Sequence, residues 1–485
     1  MRLVIVLHLI GTILRVFGAT LLAPLIVALY WGERSDAAGF VAAGLLALAA
    51  GQAMRSRINE REYVLRRVEG LAIVAGTWLA VAAVGAVPYA VGGLSPIDAV
   101  FESMSGLTAT GATILTRFED LGRGLMFWRS MSQWLGGMGV ITLFIAVLPR
   151  LAIGGRQLFF AEAPGPTDEG LTPQIRKTAA VLWRLYVGLT VAEFLALMLA
   201  GMPAYDAICH AMTTIAAGGF SPNRASIMGY ESAAIEWIIC GFMFLAGANF
   251  ALQYRALCGR PRALFGDDEF RVYAGIVVVA TLALSGFLWQ AGTATVNALR
   301  VALFQTLSIL TTTGYASTDY NLWTDQSRFV LLVLMFIGGC AGSAAGGPKV
   351  VRQVLIARYT LLELKKTLHP RAVLPVKLDG KVVPEEVMRA VLVFLLFYLL
   401  VFALCAGLVV ALGADILTGI TAAIAALGNV GPGLNQIGPM ASYADLHPVS
   451  KLVLTGAMWV GRLEVLTVLA LLRPEVWRSV RAKAD

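Results

Sequence analysis

Of the 485 residues, 58% are hydrophobic and only 14% charged, against roughly 25% charged in a soluble domain. That balance excludes a water-soluble fold and describes a polytopic membrane protein with no room for a soluble domain. The net charge of +8 would suit nucleic acid in a soluble protein. Here its placement around apolar runs points to the membrane instead, and no nucleic-acid partner is expected.

Leu3 to Trp31 and Ala37 to Met54 are expected to form two membrane helices (1–54), since about 20 apolar residues span the ~30 Å hydrocarbon core. The first run is much longer than the apolar region of a signal peptide and has no clear cleavage site, so it is expected to be retained. An Arg-rich cytoplasmic connector (55–70) leads to four similar units. The first (71–150) has an outer helix from Leu71 to about Val91, a half-length helix from Ser95 to Leu107, a turn at Thr108 to Thr113, and a return helix from about Met126 to Leu148. A polar cytoplasmic loop (151–177) precedes the second (178–254), with Thr178 to Leu199, Tyr205 to Ile215, the turn Ala216 to Ser221, and Ala233 to Leu252. After a charged loop (255–271), the third (272–357) crosses at Val272 to Leu288, carries its half-helix and turn in Asn297 to Ser317, and returns through an interrupted segment, Phe329 to Leu355. A basic loop (358–386) precedes the fourth (387–473), which has Val387 to Leu412, a half-helix from Asp415, the turn Gly428-Asn429-Val430-Gly431-Pro432-Gly433, and Leu452 to Leu472 before a cytoplasmic tail (474–485). The expected fold is an all-α polytopic membrane protein: four tandem helix, pore-loop and helix repeats around one pseudo-fourfold pore, plus two extra N-terminal transmembrane helices. That makes ten crossings.

Internal repetition redirects the whole fold reading, and here it rests on the four turns. Thr108-Ala109-Thr110-Gly111, Ala216-Ala217-Gly218-Gly219, Thr311-Thr312-Thr313-Gly314 and Ala425-Ala426-Leu427-Gly428 align on their final glycines. Asp98, Asp206 and Asp415 each stand thirteen residues before that glycine and read as helix N-caps. The third copy has Val301 there, with Asn297 the nearest capping residue. Glycine enters positive φ freely, so such a turn can direct carbonyls toward an axis, and a ring of carbonyls replaces an ion's hydration shell. The expected ion-binding positions are Ala109, Thr110 and Gly111; Ala217, Gly218 and Gly219; Thr312, Thr313 and Gly314; and Leu427, Gly428 and Asn429. Half-helices entering from outside would aim their C-terminal ends, each roughly half a negative charge, at the central cavity. Non-helical backbone at membrane depth is tolerated only where it is buried or lines a cavity, and one pore serves all four loops. The residues after the glycines, Ala112, Phe220, Tyr315 and Asn429, predict unequal quarters.

Gly338, Gly339, Gly342, Gly346 and Gly347, with Ser343 among them and Lys349 after, interrupt the third return segment. Each Gly costs about 1 kcal/mol relative to Ala in a helix, so the segment should break into a loop below the filter. It is either a packing kink or an obstruction of the cytoplasmic half-pore that moves to admit ions. Arg462 lies mid-segment in the last helix, where a charge needs a partner or the aqueous path. It either faces the pore or the glycine loop and repels cations, or pairs with loop carbonyls. Glu464, two residues away, is off its helix face.

Arg34, Arg117, Arg123, Arg224, Arg328 and Lys451 fall in the loops assigned to the outer side, and Arg15, Arg129, Arg184, Arg300 and Arg462 in membrane segments. The remaining Lys and Arg mark the other side as cytoplasmic, with both termini there. Cys209, Cys240, Cys258, Cys340 and Cys405 have neither pairing nor metal spacing and read as small core residues. His8, His210, His369 and His447 are dispersed, and no HExxH, GxSxG or paired-carboxylate motif occurs. Glu193 is the remaining candidate for enzyme chemistry, with packing the competing role.

These residues resemble the Trk/Ktr/HKT superfamily of potassium transporters, most closely its TrkH/TrkG branch. The four turns, Gly338 to Lys349, Gly428 to Gly433 and Gly461-Arg462-Leu463-Glu464 carry the resemblance across nearly the whole chain. It implies potassium uptake across a bacterial inner membrane by a homodimer with one pore per subunit, selective for potassium and rubidium over sodium. It implies a gating loop at Gly338 to Lys349 and an arginine below the filter at Arg462. Potassium would be the transported ion and no cofactor covalently bound. The implied partners are a second copy, a cytoplasmic nucleotide-binding subunit of the TrkA type, and membrane lipid. The two N-terminal helices match the TrkH type rather than the shorter Ktr type. Gly111 speaks against the sodium-preferring relatives, in which serine replaces the first filter glycine, and Pro348 departs from the usual glycine-rich pattern. The competing readings are a sodium or mixed sodium/potassium pathway and, from another class, a multipass membrane enzyme.

Overall fold

A computed structural model of the chain describes residues 2–55, 66–146, 171–370 and 374–471. Most of the expected connector (56–65), most of the loop at 151–177 and the tail 474–485 lie outside the described residues. The first apolar run forms Leu3–Thr20 and, across Leu21, Leu22–Tyr30; Arg34–Met54 packs back along it. A Cβ on Gly51 would sit 2.6 Å from the Gly11 carbonyl, so small residues set this close helix approach. The pair is fastened to the first repeat at both ends. Glu33 accepts the Arg123 and Gly124 N–H groups at 2.7 and 2.8 Å, and Asp36 accepts that of Leu125 at 3.1 Å, which satisfies the free donors of the helix beginning there. At the other end Arg2 pairs with buried Glu69 at 2.6 Å.

The four outer helices are Arg67–Gly85 with Val87–Val91, Leu171–Leu199, Asp268–Gln290 and Glu385–Ala411. Their large apolar residues, among them Leu195, Val279 and Leu396, are exposed, as expected of a surface bathed in lipid rather than water. The half-helices Pro96–Leu107, Ala204–Ile215, Thr295–Leu310 and Ile416–Leu427 form the centre. From Ala422 to Leu427 no residue is more than 1% exposed. The short helices, too short to span, are thus the core, and the long ones wrap it.

Polarity alone misplaces several boundaries. The second outer helix begins at Leu171, so its first turns occupy what reads as cytoplasmic loop. The third half-helix begins at Thr295, before Asn297, with Ala294 at the cap position. Helix Val350–Leu368 continues through Arg358, and Lys377–Leu378 pairs antiparallel with Lys381–Val382, so the basic loop is structured and adds a small hairpin to a helical chain. Of the three acids taken as caps only Asp415 is one, accepting the Thr418 N–H at 3.0 Å. Asp98 and Asp206 sit in the first turn, behind Ser95 and Pro203; there an acid still complements the helix dipole. Cys209, Cys240, Cys340 and Cys405 are buried, whereas Cys258 is exposed.

Among the described residues six helices are long and apolar enough to cross a membrane, or seven if one bent pair counts as a span, against ten expected. The shortfall lies in the return segments. Arg123–Ala146 carries buried Arg129. Ala233–Gly247 and Phe250–Leu257 meet at 107°. Asp325–Met335 and Val350–Leu368 flank the glycine-rich stretch, and Pro448–Arg462 and Val465–Leu471 flank Glu464 at φ 64°. A kink needs a cause. At the 107° bend Asn249 caps the Ala251 and Leu252 N–H groups at 2.8 and 3.1 Å, while the carbonyls left open at Ala246 and Gly247 accept from Ala344 and Cys340 of the third repeat.

Candidate ion-binding ring and the loop beneath it

The half-helices end at Leu107, Ile215, Leu310 and Leu427. Two residues on, each chain enters the left-handed region at Ala109, Ala217, Thr312 and Asn429 (φ 50°, 53°, 59° and 54°), and two further on it does so again at Gly111, Gly219, Gly314 and Gly431 (83°, 74°, 81° and 98°). The fourth counterpart of Gly111 is therefore Gly431, which corrects the alignment on Gly428. Leu427 is the last residue of its half-helix and Gly428 caps it at φ −81°. The fourth turn contributes Asn429, Val430 and Gly431, with Asn429 in the place of Ala109 and Pro432 following the glycine. The thirteen-residue spacing misled because it equates a capping acid with two acids in the first turn.

The contacts between turns close a circle. A Cβ on Gly111 would lie 2.2 Å from the Gly218 carbonyl oxygen, on Gly219 1.8 Å from that of Thr313, on Gly314 2.3 Å from that of Val430, and on Gly431 2.5 Å from that of Thr110. Each turn abuts the next and the fourth abuts the first. Positive φ and lack of space both demand glycine at these four junctions. On one side of the ring a cavity of about 60 Å³ is lined by Gly111, Gly219, Gly314 and Pro432.

Polar side chains hold the turns from behind. The Thr110 hydroxyl pairs with that of Thr108 at 2.7 Å and accepts from Asn429 Nδ2 at 2.9 Å. Thr313 pairs with Thr311 at 2.8 Å, and Tyr443 donates to the Gly431 carbonyl at 2.7 Å. Arg129 and Glu102, 2% and 0% exposed, form a 2.8 Å ion pair. Glu102 also accepts the Ile114 N–H at 3.0 Å, and Arg129 donates to the Ser221 carbonyl at 3.2 Å. One return helix thus braces the first and second turns. In the sequence Arg129 stands out only as an in-membrane charge, and Glu102 and Gln133 do not stand out at all. The available signal was a polar or ionisable residue inside an apolar segment.

The glycine-rich stretch lies against turns three and four, on the side of the half-helix ends. The Gly346 N–H donates to the Thr312 hydroxyl at 2.7 Å, and a Cβ on Gly346 would lie 2.4 Å from the Gly428 carbonyl. Gly338, Gly342 and Gly347 have φ of 82°, 72° and 74°, and Lys349, before the next helix, 61°. The Val350 N–H closes back on Gly339 at 2.9 Å, and Ser343 donates to the Cys340 carbonyl at 2.6 Å. Lys349 Nζ donates to Ala345 at 2.6 Å and Arg462 Nη1 to Ala344 at 3.0 Å. Arg462 therefore touches the loop through a carbonyl, one of the two arrangements weighed above, and Glu464 pairs instead with Arg352 at 2.6 Å. Glu269 accepts the N–H groups of Ala341 and Val351, one on each flank, at 2.7 and 3.0 Å. Beyond Ala341 a cavity of about 340 Å³ is lined by Asn249, Arg255, Asp267 and Lys381. Burial raises the Asp267 carboxyl above its ordinary range.

Known proteins share this architecture over nearly the full length. Residues 37–478 match the TrkH family model, described as a cation transport protein. The chain belongs to the TrkH family. It is 39% identical over 479 residues to the Trk system potassium uptake protein TrkH of Salmonella typhimurium, covering 97% of this chain and 99% of that one. It is 33% identical over 481 residues to the Trk system potassium uptake protein TrkG of Escherichia coli, covering 98% and 99%. The crystal structure of the potassium transporter TrkH from Vibrio parahaemolyticus matches at a TM-score of 0.89 and 36% identity, covering 98% of this chain and 100% of that one. A TrkH-family chain is a multi-pass membrane transporter, not an enzyme. Glu193 is fully buried within the second outer helix.

Proposed function

We propose that this chain takes potassium into the cell across a bacterial inner membrane, passing the ion through the ring formed by the four turns. The closed circle of carbonyl junctions at Thr110, Gly218, Thr313 and Val430 carries the reading. A dehydrated monovalent cation needs several neutral oxygens at once. Among the described residues no cluster of His, Cys, Asp or Glu offers a harder metal site, so the oxygens are those of backbone and hydroxyls. Four half-helix C-terminal ends add negative potential on the same side. Relatives named as potassium uptake proteins support potassium as the ion. In cells lacking other potassium uptake, the chain should restore rubidium accumulation in preference to sodium; equal uptake of both would favour the mixed pathway.

The loop from Gly338 to Lys349 acts as the gate, with Arg462 holding it shut and opposing cations below the ring. Arg462 is 5% exposed and makes one hydrogen bond to the loop, while its Nε and Nη2 have no hydrogen-bond partner among the described residues. Arg462→Ala removes both the tether and the charge, so ion flux into liposomes should rise severalfold; wild-type flux would leave Arg462 a structural role only. Both termini lie in the cytoplasm by the distribution of Lys and Arg. The chain works as a homodimer with a nucleotide-binding cytoplasmic subunit, a reading that relatives named as potassium uptake proteins of a Trk system support.

A further inference from the structure

The second turn differs from its neighbours at the residue before the junction glycine. Turns one and three have Thr110 and Thr313 there, each with its hydroxyl tied to the threonine two residues earlier. Turn two reads Ala216-Ala217-Gly218-Gly219 and has no hydroxyl to offer. Gly219 needs its positive φ, but Gly218 lies outside the left-handed region, so its backbone would accept a side chain. The space is taken from outside: a Cβ on Gly218 would lie 2.5 Å from both Cδ and Oε1 of Gln133.

Gln133, in the first repeat's return helix, is fully buried. Its Nε2 donates to the Gly218 carbonyl at 2.6 Å and its Oε1 accepts the Phe220 N–H at 3.0 Å. The Phe220 donor can be met only by the amide oxygen, which leaves the NH₂ facing Gly218. We infer that Gln133 is a positioning residue for ion selectivity: its amide stands in for the side chain that turn two lacks and aims the Gly218 carbonyl, one quarter of the ring. A carbonyl has two lone pairs, so this oxygen keeps one for the ion while Gln133 holds the other. One repeat thereby sets the geometry of the next. The inference rests on the reading of the ring as the ion's path.

The test measures rubidium and sodium uptake by the full chain in the same cells, as a ratio that does not depend on how much protein reaches the membrane. Gln133→Leu keeps the volume and leaves two buried groups unpaired; the rubidium-to-sodium ratio should fall about tenfold, the worth of one buried hydrogen bond. If the Leu variant does not accumulate, Gln133→Glu, which keeps the acceptor for Phe220, replaces it and should also lower the ratio. Gly218→Thr alone should lose uptake of both ions, and combining it with Gln133→Ala should restore rubidium uptake. A wild-type ratio in the Gln133 variant, alongside a collapsed ratio in Gly219→Ala, overturns the role of Gln133 and leaves the ring reading standing. A wild-type chain with no preference between the two ions overturns the selectivity role of Gln133 and favours the mixed pathway, whereas undiminished uptake of both ions in Gly219→Ala overturns the ring reading itself.

Discussion

Gly219→Ala is expected to abolish selective rubidium uptake while the protein still reaches the membrane. Two costs act at once. The residue sits at φ 74°, where an L side chain costs about 1–2 kcal/mol. Its Cβ would lie 1.8 Å from the Thr313 carbonyl oxygen, so that oxygen has to move by more than ~1 Å, a displacement that costs roughly a hundredfold where a reacting group is misplaced. Gly431→Ala should behave alike, with its Cβ 2.5 Å from the Thr110 oxygen and φ at 98°. Gly428→Ala should be milder, because its backbone is already helical and its Cβ would lie 2.8 Å from the Ile424 carbonyl, a smaller overlap with no strained φ. Uptake by cells depleted of potassium checks all three. If Gly428→Ala were the damaging change and Gly431→Ala harmless, the register of the fourth turn assigned here would be wrong.

Arg129→Met is expected to destabilise the folded chain by about 3–5 kcal/mol, the cost of stripping one partner from a buried ion pair. Glu102 is 0% exposed and would keep only the Thr113 hydroxyl and the Ile114 N–H as partners, with no counter-charge. The change also removes the Arg129 donor to Ser221 and the guanidinium stacked 4.0 Å from the Phe220 ring. Thermal unfolding in detergent should show a large drop, partly recovered when Glu102→Gln is combined with it, since the neutral amide needs no counter-charge. An unchanged unfolding temperature in the single variant would mean that the pair contributes nothing to holding turns one and two together.

The half-helices and the first three turns were legible because their signals are local. Each is an apolar run too short to span, followed by small residues and a glycine that positive φ requires. The fourth turn was misread by three residues, since two glycines, Gly428 and Gly431, both fit a small-residue run and only the end of the half-helix at Leu427 decides between them. The breaks at Asn249 and Glu464 were not legible, because tertiary partners supply what a continuous helix would otherwise supply itself. Gln133 was invisible for a related reason: what makes it matter is the missing side chain of Gly218, eighty-five residues away. Arg462 could be narrowed to two arrangements from its depth, and the contact with the Ala344 carbonyl places it at the glycine-rich loop, where the flux of Arg462→Ala decides between them.

The bend in the second return helix limits how the glycine-rich stretch can move. Cys340 and Ala344 donate to Gly247 and Ala246, and Phe250 donates to Gly342, so the two segments are laced across one another on both sides of the elbow. Withdrawing one without the other would strand buried donors and acceptors, each costing about 1–3 kcal/mol. If this stretch is the gate proposed above, its opening would carry Phe250–Leu257 with it as a lever on Asn249, and a push on that short arm would reach the ring without touching it.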